Sequence, residues 1–392
     1  MADVVQLEDL RERLAEGRPL RVKTGFDPTR PDLHLGHTVL MRKMRQFQDL
    51  GHRVVFLVGD FTAMVGDPTG QNEMRPQLTR PEVMEAAQTY QDQAFKILDP
   101  ERTEVRYNSE WLDELPLSRL VELAAKRTVA RTLERRDFRE RFEAQRDIYL
   151  HELLYPLLQG YDSVALECDV ELGGTDQLFN LMVGRDLMQR YGLRPQIVMT
   201  TPILEGLDAR MSDGKVVGKK MSKSADNYVG LTEPPLEMMR KCMQIDDQVI
   251  WRFFDLLSVR SRAEIDELRQ AGDPLRAKRE FAQEVISQYH GADEATRAAQ
   301  AFRATYLGDG IPDDVLEIEV PATGETLWIA KALSAAQLVS STSEGRRLTA
   351  QGGVEVDGNR ITDEQYQLAR GQRYLLRVGS KKRRFAYVKV PP

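Results

Sequence analysis

The sequence predicts an α/β protein: a parallel sheet with helices, then an α-helical domain, then a small basic α+β module. Three observations carry that prediction. A strand, a helix and a second strand follow one another close to the N-terminus, and strand-like and helix-like stretches go on alternating to about Thr200. From Pro235 to Tyr306 the apolar residues recur at helical spacing. Beyond Glu325 the charge balance of the chain reverses sign.

The elements follow in order. The opening MADVVQLEDLRERLAEG is charged and amphipathic, which fits a surface helix rather than a signal peptide. Leu20 to Asp27 (LRVKTGFD) carries Val22 and Phe26 and ends in an Asp27-Pro28 turn, a strand followed by a loop. Gly36 to Leu50 places Val39, Leu40, Met44, Phe47 and Leu50 on one helical face, and Gly51 stops the helix. Arg53 to Asp60 (RVVFLVGD) is short, apolar and β-branched, as a strand buried on both faces should be. Together they form a βαβ unit with a right-handed crossover, the start of a Rossmann-type open sheet. Arg119 to Glu143 reads as one long, heavily charged helix. In the helical domain Met238, Met239, Cys242, Trp251, Phe254, Leu257, Phe281, Val285 and Ile286 form a core stripe, with breaks at Gly272-Asp273-Pro274 and His290-Gly291. Residues 308–324 have the Gly, Pro and acid content of a linker. A helix around Ala332 to Val339, another from Ser343 to Gln351 and a set of short strands follow. The expected domains are 1–205, 206–310 and 325–392, joined by a linker at 311–324.

Composition narrows the function. The longest uninterrupted apolar run, Val54 to Val58, is far below the roughly twenty residues that span a bilayer, so no membrane role is expected. Two cysteines 74 positions apart, Cys168 and Cys242, make neither a disulfide framework nor a CxxC pair, and there is no HExxH. A cytoplasmic enzyme without a metal centre of its own is the economical expectation. The net charge of −6 is unevenly spread: twelve Lys and Arg against six Asp and Glu from Glu325 onward give +6, which leaves −12 for the rest. A basic module on an acidic body points to a polyanion held partly by the appended domain.

Two short strings carry the chemistry. His34-Leu35-Gly36-His37 lies at the mouth of the βαβ unit, where unpaired helix N–H groups and the dipole favour a phosphate. Gly36 has no Cβ, so a flat ring or a phosphate can approach its backbone. The same histidines could be metal ligands or ordinary loop residues. Lys220-Met221-Ser222-Lys223-Ser224 follows the Gly-rich, polar Ser212 to Lys219, which predicts a mobile loop. Its two lysines could close over a polyphosphate as point charges, or simply be solvated.

HLGH and KMSKS resemble the two signatures of class I aminoacyl-tRNA synthetases. Asp67-Pro68-Thr69-Gly70, Tyr155-Pro156-Leu157-Leu158-Gln159-Gly160-Tyr161-Asp162 and Gly173-Gly174-Thr175-Asp176-Gln177 resemble the tyrosyl enzymes in order and spacing, over nearly the full chain. Gly352 to Gly358 and the ending Lys381 to Lys389 resemble the S4 RNA-binding fold. The resemblance implies that Thr29 and His34 meet the departing phosphates while Lys220 and Lys223 close from the other side. Gly36 and His37 would hold the ribose and base of ATP, with Asp176 accepting from a ribose hydroxyl. Asp67, Tyr155 and Gln159 would bind the tyrosine ammonium, Gln177 would line the same site, and Asp162 would accept from the phenol. Arg346, Arg347, Lys381, Lys382, Arg383 and Arg384 would face RNA. The implied partners are L-tyrosine, ATP with Mg²⁺, tRNA(Tyr) and a second copy of the chain, the last through the region of Arg119 to Glu143.

Three departures from the family's best-known branch stand out. Lys23 replaces a tyrosine that reads the phenol, and its neutral role would be to balance Asp60 or Asp162. Gln71 and Asn72 stand where that branch has lysines, with Arg75 the nearest cation. The KMSKS string is itself a variant that branch usually lacks, so these features suggest a second branch of tyrosyl enzymes. Three other readings compete. Tryptophanyl enzymes usually lack the S4-like module and the Gln159 pattern, small nucleotidylyltransferases are much shorter, and a degenerate RNA-binding relative would not need both signatures intact.

Overall fold

In the computed structural model, residues 1–29, 32–68, 78–307, 315–322, 324–379 and 384–391 are described. The expectations placed on Thr69, Gly70, Gln71, Asn72, Arg75, Lys381, Lys382 and Arg383 lie outside them. The chain divides into two compact units, 1–233 with 244–278, and 234–243 with 279–392.

The first unit is built on a six-stranded sheet of β1 (Asp3–Val5), β2 (Arg21–Phe26), β3 (Arg53–Val58), β4 (Thr103–Tyr107), β5 (Val170–Gly174) and β6 (Ile197–Thr201). Their order is β1-β6-β5-β2-β3-β4. Strands β2 to β6 are parallel, and β1 adds antiparallel to β6, an edge strand that sequence reading missed. Val54 to Val58 are all buried, as a β-branched run covered on both faces requires. The chain runs outward from β2 to β3 and β4, then returns to place β5 on the other side of β2. That reversal opens a crevice beyond the carboxyl ends of β2 and β5, where open parallel sheets take their ligands. Asp27 follows β2 there, and Thr175 to Gln177 follow β5.

The expected single helix over 119–143 is instead three: Leu117–Ala125, Val129–Thr132 and Arg136–Glu143. An unbroken helix of this composition would have no continuous apolar stripe. The break at Thr128, whose side chain accepts from Arg131 N, folds the segment so that Leu123 and Phe138 are both fully buried. The expected mobile loop before KMSKS is a hairpin, Arg210–Ser212 paired with Lys215–Val217. Asp213 and Gly214 both have positive φ, 48° and 72°, which is the Asp-Gly turn that matches strand twist.

In the second unit, helices Pro235–Cys242 and Ala292–Phe302 pack together. The last part has its own core of Leu327, Ile329, Leu333, Val354, Leu376 and Val388. Its five-stranded sheet includes Glu317–Glu319, which lies in the expected linker and runs parallel to Arg384–Val390. Among the described residues no helix is long and apolar enough to cross a membrane.

Candidate active site

His34 caps the helix Leu35–Asp49 with extended backbone, and its Nδ1 accepts from Gly36 N at 3.2 Å. His37 answers from the next turn, its Nδ1 accepting from His34 N at 3.2 Å. In a neutral imidazole that accepts at Nδ1, the proton sits on Nε2, so both rings keep an Nε2–H donor. The rings lie 3.9 Å apart. Burial lowers the pKa of His34 far below the ordinary histidine range, and its neighbours His37, Lys223 and Lys220 lower it further. Burial, then Lys220 and Lys223, push His37 down to about 3. Both are therefore neutral donors near pH 7. A Cβ on Gly36 would crowd the His34 ring at 3.0 Å and make only ordinary contact with Met221 Cβ at 3.6 Å, so the bare backbone leaves room for the His34 cap.

The second loop is fastened to the first by main chain. Leu35 N donates to Val229 O and Leu231 N to Leu33 O, both at 3.0 Å. Met221 is buried and its N donates to Leu204 O at 2.9 Å. Asn227 ties the turn, accepting from Ser222 N and donating to Asp208. Lys220 Nζ donates to Asp176 Oδ2 at 2.6 Å, and Lys223 Nζ donates to the Asp32 carbonyl. The structure thus brings His34, Gly36, His37, Asp176, Lys220 and Lys223 into one region, with Thr29 on the strand-to-helix loop where its N donates to Asp27 O.

A buried polar chain runs behind it. Tyr155 OH donates to Asp27 Oδ2 at 2.8 Å, Thr62 Oγ1 to Asp27 Oδ1 at 2.8 Å, and Asn108 Nδ2 to Thr62 Oγ1 at 3.0 Å. Asn108 also reaches Asp162 Oδ2 at 3.4 Å, and Trp111 Nε1 donates to Asp162 Oδ1 at 2.9 Å. Asp162 is 2 % exposed, and burial pushes its pKa up to about 7 against the pull of Lys23, Trp111 and Asn108. Gln177 Nε2 donates to Asp67 Oδ2 at 3.0 Å. Gln159 Oε1 is buried with no hydrogen-bond partner among the described residues, a costly arrangement that a ligand donor would relieve.

Lys23 corrects an expectation. It balances neither Asp60 nor Asp162 directly but forms a buried ion pair with Glu171, Nζ to Oε1 2.7 Å. The register explains this, because Lys23 and Glu171 are direct partners across β2 and β5. Asp60 instead accepts from Ser109 N at 3.0 Å. Sequence reading also missed Asp27, Thr62, Asn108 and Trp111. In the structure Gly59 marks the place, since its Cβ would fall 2.1 Å from Asp27 Oδ1 and 2.5 Å from Thr62 Oγ1. Gly59→Ala is expected to destabilise the protein by about 1–3 kcal/mol through this overpacking, read as a lowered midpoint of denaturant unfolding. An unchanged midpoint would mean that Asp27 is not held as described.

In the C-terminal module Arg346, Arg347 and Arg384 are exposed, and Arg346 pairs with Glu364 at 3.2 Å.

A reversed parallel sheet that holds a histidine-capped helix against a lysine loop defines a class of protein. The family model of class I tRNA synthetases (W and Y) matches residues 15–306, and that of the S4 domain matches 327–373. Tyrosine–tRNA ligase of Coxiella burnetii is 52 % identical over 392 residues, covering 99 % of this chain and 96 % of that one. That of Oleidesulfovibrio alaskensis is 50 % identical over 97 % of this chain and 95 % of its own. A truncated mitochondrial tyrosyl-tRNA synthetase of Aspergillus nidulans shares the fold, with TM-score 0.64 and 23 % identity over 78 % of this chain and 91 % of that one. The chain belongs to the tyrosine–tRNA ligase family.

Proposed function

We propose that this protein joins L-tyrosine to ATP, releasing pyrophosphate, and then transfers tyrosine to the 3′ end of tRNA(Tyr). The observation that carries this reading is the main-chain junction that sets Lys220 and Lys223 beside the His34 and His37 cap.

The nucleophile is the tyrosine carboxylate, ionised at neutral pH because an α-carboxyl titrates near ~3.5, so no general base is needed. The work left is to bring two anions together and to stabilise charge as phosphorus becomes five-coordinate. Neutral His34 and His37 offer Nε2–H donors without the penalty of a buried charge, and Thr29 adds a hydroxyl. Lys223 and Lys220 supply the positive charge, with Lys220 leaving Asp176 to reach phosphate. Asp176 then accepts from a ribose hydroxyl, and Gly36 admits the nucleotide to the backbone. Mg²⁺ enters with ATP, since Mg²⁺ keeps its oxygen shell of phosphates and waters.

The amino acid's ammonium is met by Asp67, by the buried Gln159 Oε1 and by a lone pair of Tyr155 OH, while Gln177 steadies Asp67. Asp162 accepts from the phenol. The two halves of tyrosine are thereby read from opposite ends of one hydrogen-bonded chain. Phenylalanine would leave Asp162 short of a donor in a buried site, and the tyrosyl enzymes are themselves the standard example of rejection by such a loss.

The remaining assignments belong to the same proposal. The C-terminal module, from Glu317 onward, grips tRNA with Arg346, Arg347, Lys381, Lys382, Arg383 and Arg384. Residues 206–310 carry the lysine loop and helices for the anticodon end. Leu117, Val121, Val129, Phe142 and Leu150 are 60–80 % exposed on one short stretch, which supports a homodimer contact there. The enzyme acts in the cytoplasm.

Amino-acid-dependent ATP–pyrophosphate exchange tests the reading. Tyrosine should support it, and neither tryptophan nor phenylalanine should at comparable efficiency. Exchange driven equally by tryptophan would overturn the assignment.

A further inference from the structure

We infer that Lys23 is a positioning residue for side-chain selection: its ammonium, clamped by Glu171, is the counter-charge that lets the buried Asp162 serve as the acceptor of the phenol hydroxyl. This role rests on the amino-acid site proposed above and adds the group that makes its specificity element workable.

One cation and two carboxylates are buried here, and hydrogen bonds link the ion pair to the residue next to the second carboxylate. Lys23 has no exposed surface, Glu171 and Asp162 are each 2 % exposed, and Lys23 Nζ donates to Glu171 Oε1 at 2.7 Å. The other Glu171 oxygen accepts from Ser163 Oγ at 3.3 Å and from Gln196 Nε2. Ser163 is the neighbour of Asp162 on the helix Leu150–Leu166, so the ion pair is tied to the residue beside the phenol reader. Asp162 itself is met only by neutral donors, Trp111 Nε1 and Asn108 Nδ2, and among the described residues no cation reaches ion-pair distance of it.

A buried carboxylate with neutral partners alone is expensive to keep charged, and the usual relief is to take up a proton. A protonated carboxyl would spend one oxygen as a donor and lose its preference for a hydroxyl that donates. The charged or titratable groups that act on Asp162 are Lys23 from β2, Glu171 from β5 and Tyr155 from its own helix. Of these only Lys23 favours the ionised form, and it opposes a burial effect that already raises the carboxyl to about 7. The acceptor form is populated as pH rises through that value and depleted below it, and removal of Lys23 moves the transition to higher pH.

A structural strand residue would affect folding without this signature. The test is tyrosine-dependent pyrophosphate exchange from pH 5.5 to 8.5 on the full-length protein, with KM for tyrosine and kcat read separately. For the wild type, KM for tyrosine should fall as pH rises through about 7. For Lys23→Met, KM at neutral pH should rise roughly fivefold or more, because one pKa unit upward takes the ionised fraction from about a half to about a tenth, while KM for ATP holds and the transition moves up. Because Lys23→Met strands the Glu171 charge, the double variant Lys23→Met with Glu171→Gln keeps the Ser163 and Gln196 contacts without a lone ion. It should shift in the same direction by a smaller amount, because Glu171→Gln also removes a charge that raises the Asp162 carboxyl and the Lys23 effect is the larger of the two. A folded double variant with the wild-type KM and profile would overturn the inference, as would a wild-type KM for tyrosine that is flat across this range. A wild type that fails to exchange with tyrosine at all would instead remove the functional reading on which it rests.

Discussion

Lys223→Ala is expected to raise the barrier to tyrosyl-adenylate formation by about 2–4 kcal/mol, the range seen when one transition-state donor is removed. At ~1.4 kcal/mol per factor of ten this is a loss of roughly thirty- to a thousand-fold in rate. Lys223 is already largely buried, its ammonium held by the Asp32 carbonyl and 3.9 Å from the Asp32 carboxylate. It sits on a segment hydrogen-bonded to the start of the helix that His34 caps, so little motion separates it from a phosphate there. Affinity for tyrosine should barely change if the lysine meets phosphate, as proposed, and not the amino acid. Single-turnover adenylate formation at varied tyrosine separates the two quantities. A defect confined to tyrosine binding would put Lys223 in the wrong role.

Removal of the C-terminal module should separate the two half-reactions. Its core is drawn from its own residues, and its sheet begins at Glu317, so the cut belongs before that strand rather than at Glu325. Pyrophosphate exchange should persist, since every residue assigned to it lies in the first unit. Affinity for tRNA should fall, and each phosphate left without its Lys or Arg should flatten the log–log dependence on salt by roughly 0.7–0.9. Four phosphates left bare would thus lower the slope by roughly three. The measurement is tRNA affinity at several salt concentrations for both forms. Equal slopes and affinities would mean that the basic tail does not touch RNA.

How much of this was legible in the sequence depended on the range of the interaction. The βαβ unit was readable because periodicity and stop signals are local: the helix expected over Gly36 to Leu50 is found at Leu35–Asp49, and the strands on either side agree equally well. Helix breaks at Gly272-Asp273-Pro274 and His290-Gly291 were likewise local. The Asp213-Gly214 hairpin is also local, but the glycines and polar residues around it read equally as a loose loop, and only the positive φ at both turn residues separates the two. The charged stretch 119–143 misled because burial of Leu123 and Phe138 against the rest of the fold decides where it bends. Strings such as HLGH and KMSKS name their residues but not their neighbours. That Lys23 meets Glu171, or that Asp27, Thr62 and Asn108 join Tyr155 to Asp162, depends on strand register and sheet order, which no short window contains.

The junction between Leu35 and Val229 joins positions 194 apart in the chain. Loop-closure entropy grows only slowly with length, about 0.6 kcal/mol per doubling, but a loop this long cannot be closed by a few main-chain hydrogen bonds alone. Strands β5 and β6, which lie within that loop, pack on the β2 side of the sheet and bring its ends together. Contacts of such sequence separation form late and slow the search for the native state. On the ribosome, where the chain grows from its N-terminus, the His34 cap emerges long before the segment that completes it. The nascent protein therefore carries an unfinished candidate site through much of its synthesis and gains a whole one only when the distant segment around Val229 docks.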